Sequence, residues 1–142
     1  QPLSRASYVY YPQQSESMGE DQFGAGPHTD FGVLTVLCQD SVGGLEVKDL
    51  NGDWVYAPPI DGTLIVNVGD LLSRWTDGVY RSTPHRVINK SSQERLSLVL
   101  AFDPSAETMI DARTIFGSEY IPKEKPISCG EYLTWRFNKA FS

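Results

Sequence analysis

Only two histidines occur in this chain, and the first stands two residues before an aspartate in Gly26-Pro27-His28-Thr29-Asp30-Phe31. In an extended strand residues i and i+2 point to the same face. The His28 imidazole and the Asp30 carboxylate would then project side by side, as two neighbouring ligands of one metal ion must. The third donor has to come from the other histidine, His85, in Thr83-Pro84-His85-Arg86-Val87. Two histidines and one carboxylate with the other positions open suit non-haem Fe(II) and dioxygen chemistry. Zinc also accepts that set, with water in the fourth place for hydrolysis. A third reading is a strand-edge turn in which His28 and Asp30 only hydrogen-bond locally.

Ten residues beyond His85 comes Arg95-Leu96-Ser97. The same alternation puts Arg95, Ser97 and Val99 on one strand face and Leu96, Leu98 and Leu100 on the other. A guanidinium and a hydroxyl presented together grip a carboxylate. Hydrolysis at zinc has no use for such a pair, which favours iron. The bland alternative for Arg95 is an ion pair with a surface acid, worth little.

With His28-x-Asp30, His85 and Arg95-x-Ser97 in place, the sequence resembles the iron(II)/2-oxoglutarate-dependent oxygenases, in particular their isopenicillin N synthase-like branch. The likeness continues through Tyr10-Tyr11-Pro12, Gly43-Gly44-Leu45-Glu46-Val47, Val66-Asn67-Val68-Gly69-Asp70 and Phe102-Asp103-Pro104. It implies Fe(II) held by His28, Asp30 and His85, with 2-oxoglutarate and O2 as cosubstrates and Arg95, Ser97 and Tyr11 at the distal carboxylate. It also implies a small organic substrate that is hydroxylated, desaturated or cyclised, with release of succinate and CO2. Many plant members have Asn two residues before that tyrosine, where Val9 stands here. The rival readings are a non-catalytic metal-binding jelly-roll module or fragment and a zinc hydrolase on the same scaffold. Asn67 reads equally as a polar group near the site or as a satisfied core amide.

The elements that must position these residues are strands. Ser7 to Tyr11 forms one, stopped by Pro12. The apolar run from Gly26 to Leu37 reads as another. Leu45 to Leu50 and Asp53 to Tyr56 flank Asn51-Gly52, a strong hairpin signal. Thr63 to Val68 is apolar on both faces and is expected to be central in a sheet, followed by a short helical turn over Leu71 to Trp75. Arg95 to Phe102 is the last long strand, and the polar segment 13–24 is expected at the mouth of the site. At least seven short strands without a long helix between them predict an all-β barrel, which the resemblance sharpens to a double-stranded β-helix, or jelly roll. One C-terminal helix is expected from the capping box at Ser128 and Glu131 and from Leu133, Phe137 and Phe141. The aromatics Phe31, Trp54, Tyr56, Trp75 and Phe102 are expected in the core.

A chain of 142 residues with 40% hydrophobic and 21% charged side chains suits one globular domain, residues 1–142. No run reaches the ~18 apolar residues of a membrane span, and no signal peptide is evident at the start, so a cytoplasmic location without membrane partners is expected. A net charge of -6 with scattered basic residues argues against nucleic acid. Cys38 and Cys129 are too few for a disulfide framework or zinc-ligand spacing and are expected as free thiols. The family usually carries a long N-terminal region ahead of this barrel. The chain starts with Gln1 where the barrel would start, so a fragment or reduced member is expected, its barrel covered by the missing segment, the terminal helix or self-association.

Overall fold

The computed structural model describes residues 1–13, 24–88 and 91–141. The polar segment expected at the mouth therefore lies outside the described residues over 14–23.

Eight strands form two antiparallel four-stranded sheets. The first contains β1 (Arg5–Tyr11), β3 (Leu34–Gln39), β6 (Ile65–Val68) and β8 (Arg95–Phe102), in the order β1-β8-β3-β6. The second contains β2 (Ala25–His28), β4 (Leu45–Lys48), β5 (Trp54–Tyr56) and β7 (His85–Val87), in the order β2-β7-β4-β5. Because the chain moves back and forth between them, neighbouring strands in each sheet are distant in sequence, the β4–β5 pair excepted. This is the jelly roll, or double-stranded β-helix. After it come the short pair β9 (Met109–Ile110) and β10 (Ile127–Ser128), with one helical turn, α2 (Arg113–Phe116), between them.

The expected hairpin is present, although its loop runs over Asp49 to Asp53 rather than two residues. Lys48 pairs with Trp54, and the Asp49 carboxylate accepts the backbone N–H groups of Asn51 and Asp53 at 2.8 and 2.9 Å. Gly52 has φ +92°, a conformation that costs glycine little. The terminal helix α3 (Cys129–Phe141) opens on the capping box. Ser128 Oγ accepts from the Glu131 N–H, and Glu131 Oε2 accepts from the Ser128 N–H.

Three expectations are corrected. The run from Gly26 to Leu37 is not one strand: β2 ends at His28 in one sheet and β3 starts at Leu34 in the other. The break occurs because the intervening carbonyls bond to the start of α1 (Asp70–Trp75) instead of to a strand. Gly69 N–H donates to Val33, Asp70 N–H to Asp30 at 2.7 Å, and Leu71 N–H to Phe31 and Gly32. These are donors that a helix start cannot satisfy internally. Second, the strand at 63–68 is the edge of its sheet rather than the centre, with Leu64 and Val66 exposed. Third, Tyr56 and Phe102 point outward to solvent, whereas Phe31 and Trp75 pack against the core.

That core lies beside the barrel. Val33, Leu71, Ile110, Cys129, Tyr132 and Leu133 form it, joining α1, β9 and α3. Both cysteines are free: Cys38 is exposed, and burial raises the Cys129 thiol to about 11.

The corner between the sheets depends on two glycines. A Cβ on Gly32 would overlap the carboxylate of Asp103, which is buried and accepts the Val33 N–H at 2.9 Å, and a Cβ on Gly69 would overlap the Gly32 carbonyl. Backbone cannot yield as a flexible side chain does. Gly69→Ala is therefore expected to destabilise the fold by about 2 kcal/mol or more. Gly26→Ala, whose Cβ would meet nothing within 4 Å, should stay within about 0.5 kcal/mol of the parent. Denaturant midpoints of the two variants check this; equal midpoints would show that the corner relaxes freely.

Candidate metal centre and cosubstrate pocket

His28 and His85 are cross-strand partners, the last residue of β2 facing the first of β7. Directly opposed residues in an antiparallel pair have close Cβ atoms, and the ring centroids lie 4.3 Å apart. Each ring is oriented from behind. His28 Nδ1 lies 2.7 Å from the Gly26 carbonyl oxygen and His85 Nδ1 lies 3.1 Å from that of Thr83. A carbonyl only accepts, so Nδ1 carries the hydrogen in both neutral rings and Nε2 keeps its lone pair for an ion.

Asp30 reaches the same point from the crossover after β2. Its Oδ1 lies 3.7 Å from His28 Nε2 and 3.6 Å from His85 Nε2, and the three donor atoms all fall within 4.8 Å of one another. Its other oxygen is occupied: Oδ2 accepts from Thr35 Oγ1 at 2.5 Å and from Asn67 Nδ2 at 2.8 Å. Thr35 and Asn67 are register partners on β3 and β6. Burial alone would push the Asp30 carboxyl up. The bonds from Asn67 and Thr35 and the field of His85 and His28 outweigh it, so the group stays below the usual carboxylate range. Asn67 thus takes the site-side reading. Thr35 was not singled out from the sequence, and the one signal for it was a hydroxyl in an otherwise apolar strand.

A cavity of about 350 Å³ runs between the sheets from this cluster to Tyr11, Arg95 and Ser97, with Val9, Leu37, Ile65 and Val87 among its apolar walls. The alternation of β8 is as expected, Arg95 and Ser97 inward and Leu96, Leu98 and Leu100 outward. Arg95 is 1% exposed, and among the described residues none of its three guanidinium nitrogens has a hydrogen-bond partner; nor does the buried Ser97 hydroxyl. Tyr11 pairs with Arg95 in the register, and its ring lies 4.7 Å from the guanidinium carbon. Val9, across from Ser97, offers no hydrogen bond.

An uncompensated buried cation is costly. Arg95 with Ser97 therefore fits a carboxylate-bearing ligand, and two imidazole nitrogens with one carboxylate oxygen fit Fe(II).

Two histidines and a carboxylate converging inside a jelly roll make a candidate metal-binding site. The profile of the 2OG-Fe(II) oxygenase superfamily matches residues 2–104, and the chain belongs to that family. A homoarginine-6-hydroxylase from Glycine max is 42% identical over 108 residues, covering 72% of this chain and 33% of its own length. A 1-aminocyclopropane-1-carboxylate oxidase from Dictyostelium mucoroides is 48% identical over 100 residues, covering 69% and 27%. Among solved structures, a full-length Neurospora crassa protein in complex with alpha-KG and thymine superposes with TM-score 0.87 at 36% identity, over 96% of this chain and 44% of its own. The rice dioxygenase for auxin oxidation gives 0.79 at 30%, over 96% and 46%. The chain spans about a third of the length of the curated relatives it matches.

Proposed function

We propose that residues 1–142 are the catalytic domain of a cytoplasmic oxygenase of the isopenicillin N synthase-like branch, with Fe(II) on His28, Asp30 and His85 and 2-oxoglutarate held at its distal carboxylate by Arg95 and Ser97. The observation that carries this reading is the buried Arg95–Ser97 pair, whose side chains have no hydrogen-bond partner among the described residues, opening into the same cavity as the three candidate metal donors. Bound iron would couple decarboxylation of 2-oxoglutarate by O2, giving succinate and CO2, to oxidation of a small substrate, one oxygen atom entering succinate and the other available to the product.

The chain's own residues supply position. The carbonyls of Gly26 and Thr83 orient the imidazoles, Thr35 and Asn67 leave one Asp30 oxygen free, and the Tyr11 ring backs the Arg95 guanidinium. Arg95 is buried beside apolar walls, so a carboxylate on it would be weakly screened. Dioxygen-dependent succinate release at graded 2-oxoglutarate tests the reading. Iron binding without succinate, whatever substrate is offered, would favour a metal-binding module instead.

The reading extends to self-association. The outer face of the first sheet presents Tyr8, Tyr10, Leu64, Val66, Leu96, Leu98, Leu100 and Phe102 to solvent, more apolar side chain than an isolated domain usually leaves bare. α3 packs at α1 and β9 and leaves this face open. The chain is expected to dimerise with rising concentration, and Leu98→Lys is expected to shift it towards monomer. Sedimentation showing a monomer at all concentrations would remove this proposal.

A further inference from the structure

The inward rows of the first sheet place two arginines at opposite ends of the site. Arg95 ends the deep side, opposite Tyr11. Arg5 begins the other: it pairs with Ala101, which pairs with Thr35, which pairs with Asn67. Arg5 therefore lies in the row whose far members hold Asp30. It lines a second hollow that shares His28, Asp30 and Thr35 with the main cavity and adds Thr29 and Phe31.

Its charge is uncompensated there. Arg136, whose guanidinium carbon lies 4.4 Å from the centroid of the Phe31 ring, is paired with Asp70 at 2.5 Å, and Asp30 faces His28 and His85. Among the described residues Arg5 has neither an acid nor a hydrogen-bond partner, and its guanidinium carbon rests 5.0 Å from the centroid of the Phe137 ring. Phe137 in turn packs edge-on against Phe31. An aromatic platform leaves the planar fork of N–H donors free while limiting where it points.

We infer that Arg5 is a specificity-determining residue that binds the carboxylate of the oxidised substrate, so that this substrate is an organic acid with its apolar body beside Phe31 and over the metal donors. One guanidinium matches one carboxylate in charge and in bidentate shape. The inference rests on the oxygenase reading, in which Arg95 and Ser97 are taken by 2-oxoglutarate and a second anion must find a different cation.

The test is calorimetry on the full chain with Ni(II) in place of Fe(II) and with 2-oxoglutarate present, so that binding is read without turnover. The probes are matched pairs, phenylacetate against phenylacetamide and hexanoate against hexanamide. The parent is expected to prefer at least one acid over its amide by about tenfold or more. Arg5→Ala should abolish that preference, Arg5→Lys should keep part of it, and neither should change 2-oxoglutarate affinity. A parent that prefers no acid to its amide, or an acid preference that survives in Arg5→Ala, overturns the inference. Loss of thermal stability in Arg5→Ala with the preference intact would show that Arg5 only clamps α3 through Phe137. If the parent does not bind 2-oxoglutarate at all, the oxygenase reading itself fails and the inference falls with it; intact, Arg95-dependent 2-oxoglutarate binding with no acid preference sinks the inference alone.

Discussion

Arg95→Ala is expected to weaken 2-oxoglutarate binding by about 100-fold while leaving Fe(II) affinity within a few-fold of the parent. The magnitude is that of losing a charge-assisted, bidentate contact at a buried guanidinium, typically a few kcal/mol at 1.4 kcal/mol per tenfold. The selectivity follows from Arg95 touching none of the three metal donors; its contact is the Tyr11 ring. Arg95→Lys should recover only part of the loss, because an ammonium keeps the charge without the fork. A second variant separates binding from folding. Arg95→Met fills similar space without an uncompensated buried cation, so without 2-oxoglutarate it should be at least as stable as the parent. Succinate formation against 2-oxoglutarate concentration, with thermal melts of the ligand-free chain, reads both effects. Unchanged 2-oxoglutarate affinity in Arg95→Ala would mean that the cosubstrate lies elsewhere.

Replacing His28 or His85 by alanine is expected to lower Fe(II) affinity by more than about 100-fold, since each removes a whole donor from a set of three. Thr35→Val and Asn67→Ala, which remove only the bonds that orient Asp30, should cost about 10- to 100-fold, the range usual for outer partners of a ligand. The two classes should also differ in acid. Thr35 and Asn67 help hold the Asp30 carboxyl below its ordinary range, so their loss should make iron release begin at higher pH than in the parent. Anaerobic Fe(II) titration at several pH values measures both. Parent-like affinity and stoichiometry in His85→Ala would exclude this cluster as the metal centre.

Much of the site was legible because its donors are rare residue types. With two histidines in the chain, His28 and His85 were the only imidazoles available, and Asp30 was marked by its spacing from the first. The faces of β8 were likewise readable, since period-two alternation separates Arg95 and Ser97 from Leu96, Leu98 and Leu100 whatever the fold. The capping box at Ser128 was readable because its bonds span only three residues.

Asp30 shows where such reading stops. Alternation places it on the strand of His28, whereas it sits at the crossover after β2, its carbonyl held by the Asp70 amide of α1 and its carboxylate by side chains of β3 and β6, and none of those partners is within two residues of it in sequence. Strand order, and so the edge position of β6, depends on pairings between distant segments to which local pattern is blind. Alternation also cannot say which of two faces is interior. Ordinary burial would have put the β8 leucines inside, yet the space between the sheets is a cavity lined by Arg95, Ser97 and the candidate metal donors, and the main apolar core lies beside it, between α1, β9 and α3. By itself the sequence determined which groups are candidates for the chemistry, because that depends on residue type and short-range spacing. The tertiary structure decided where they converge and which apolar face is left outside, because those depend on long-range packing.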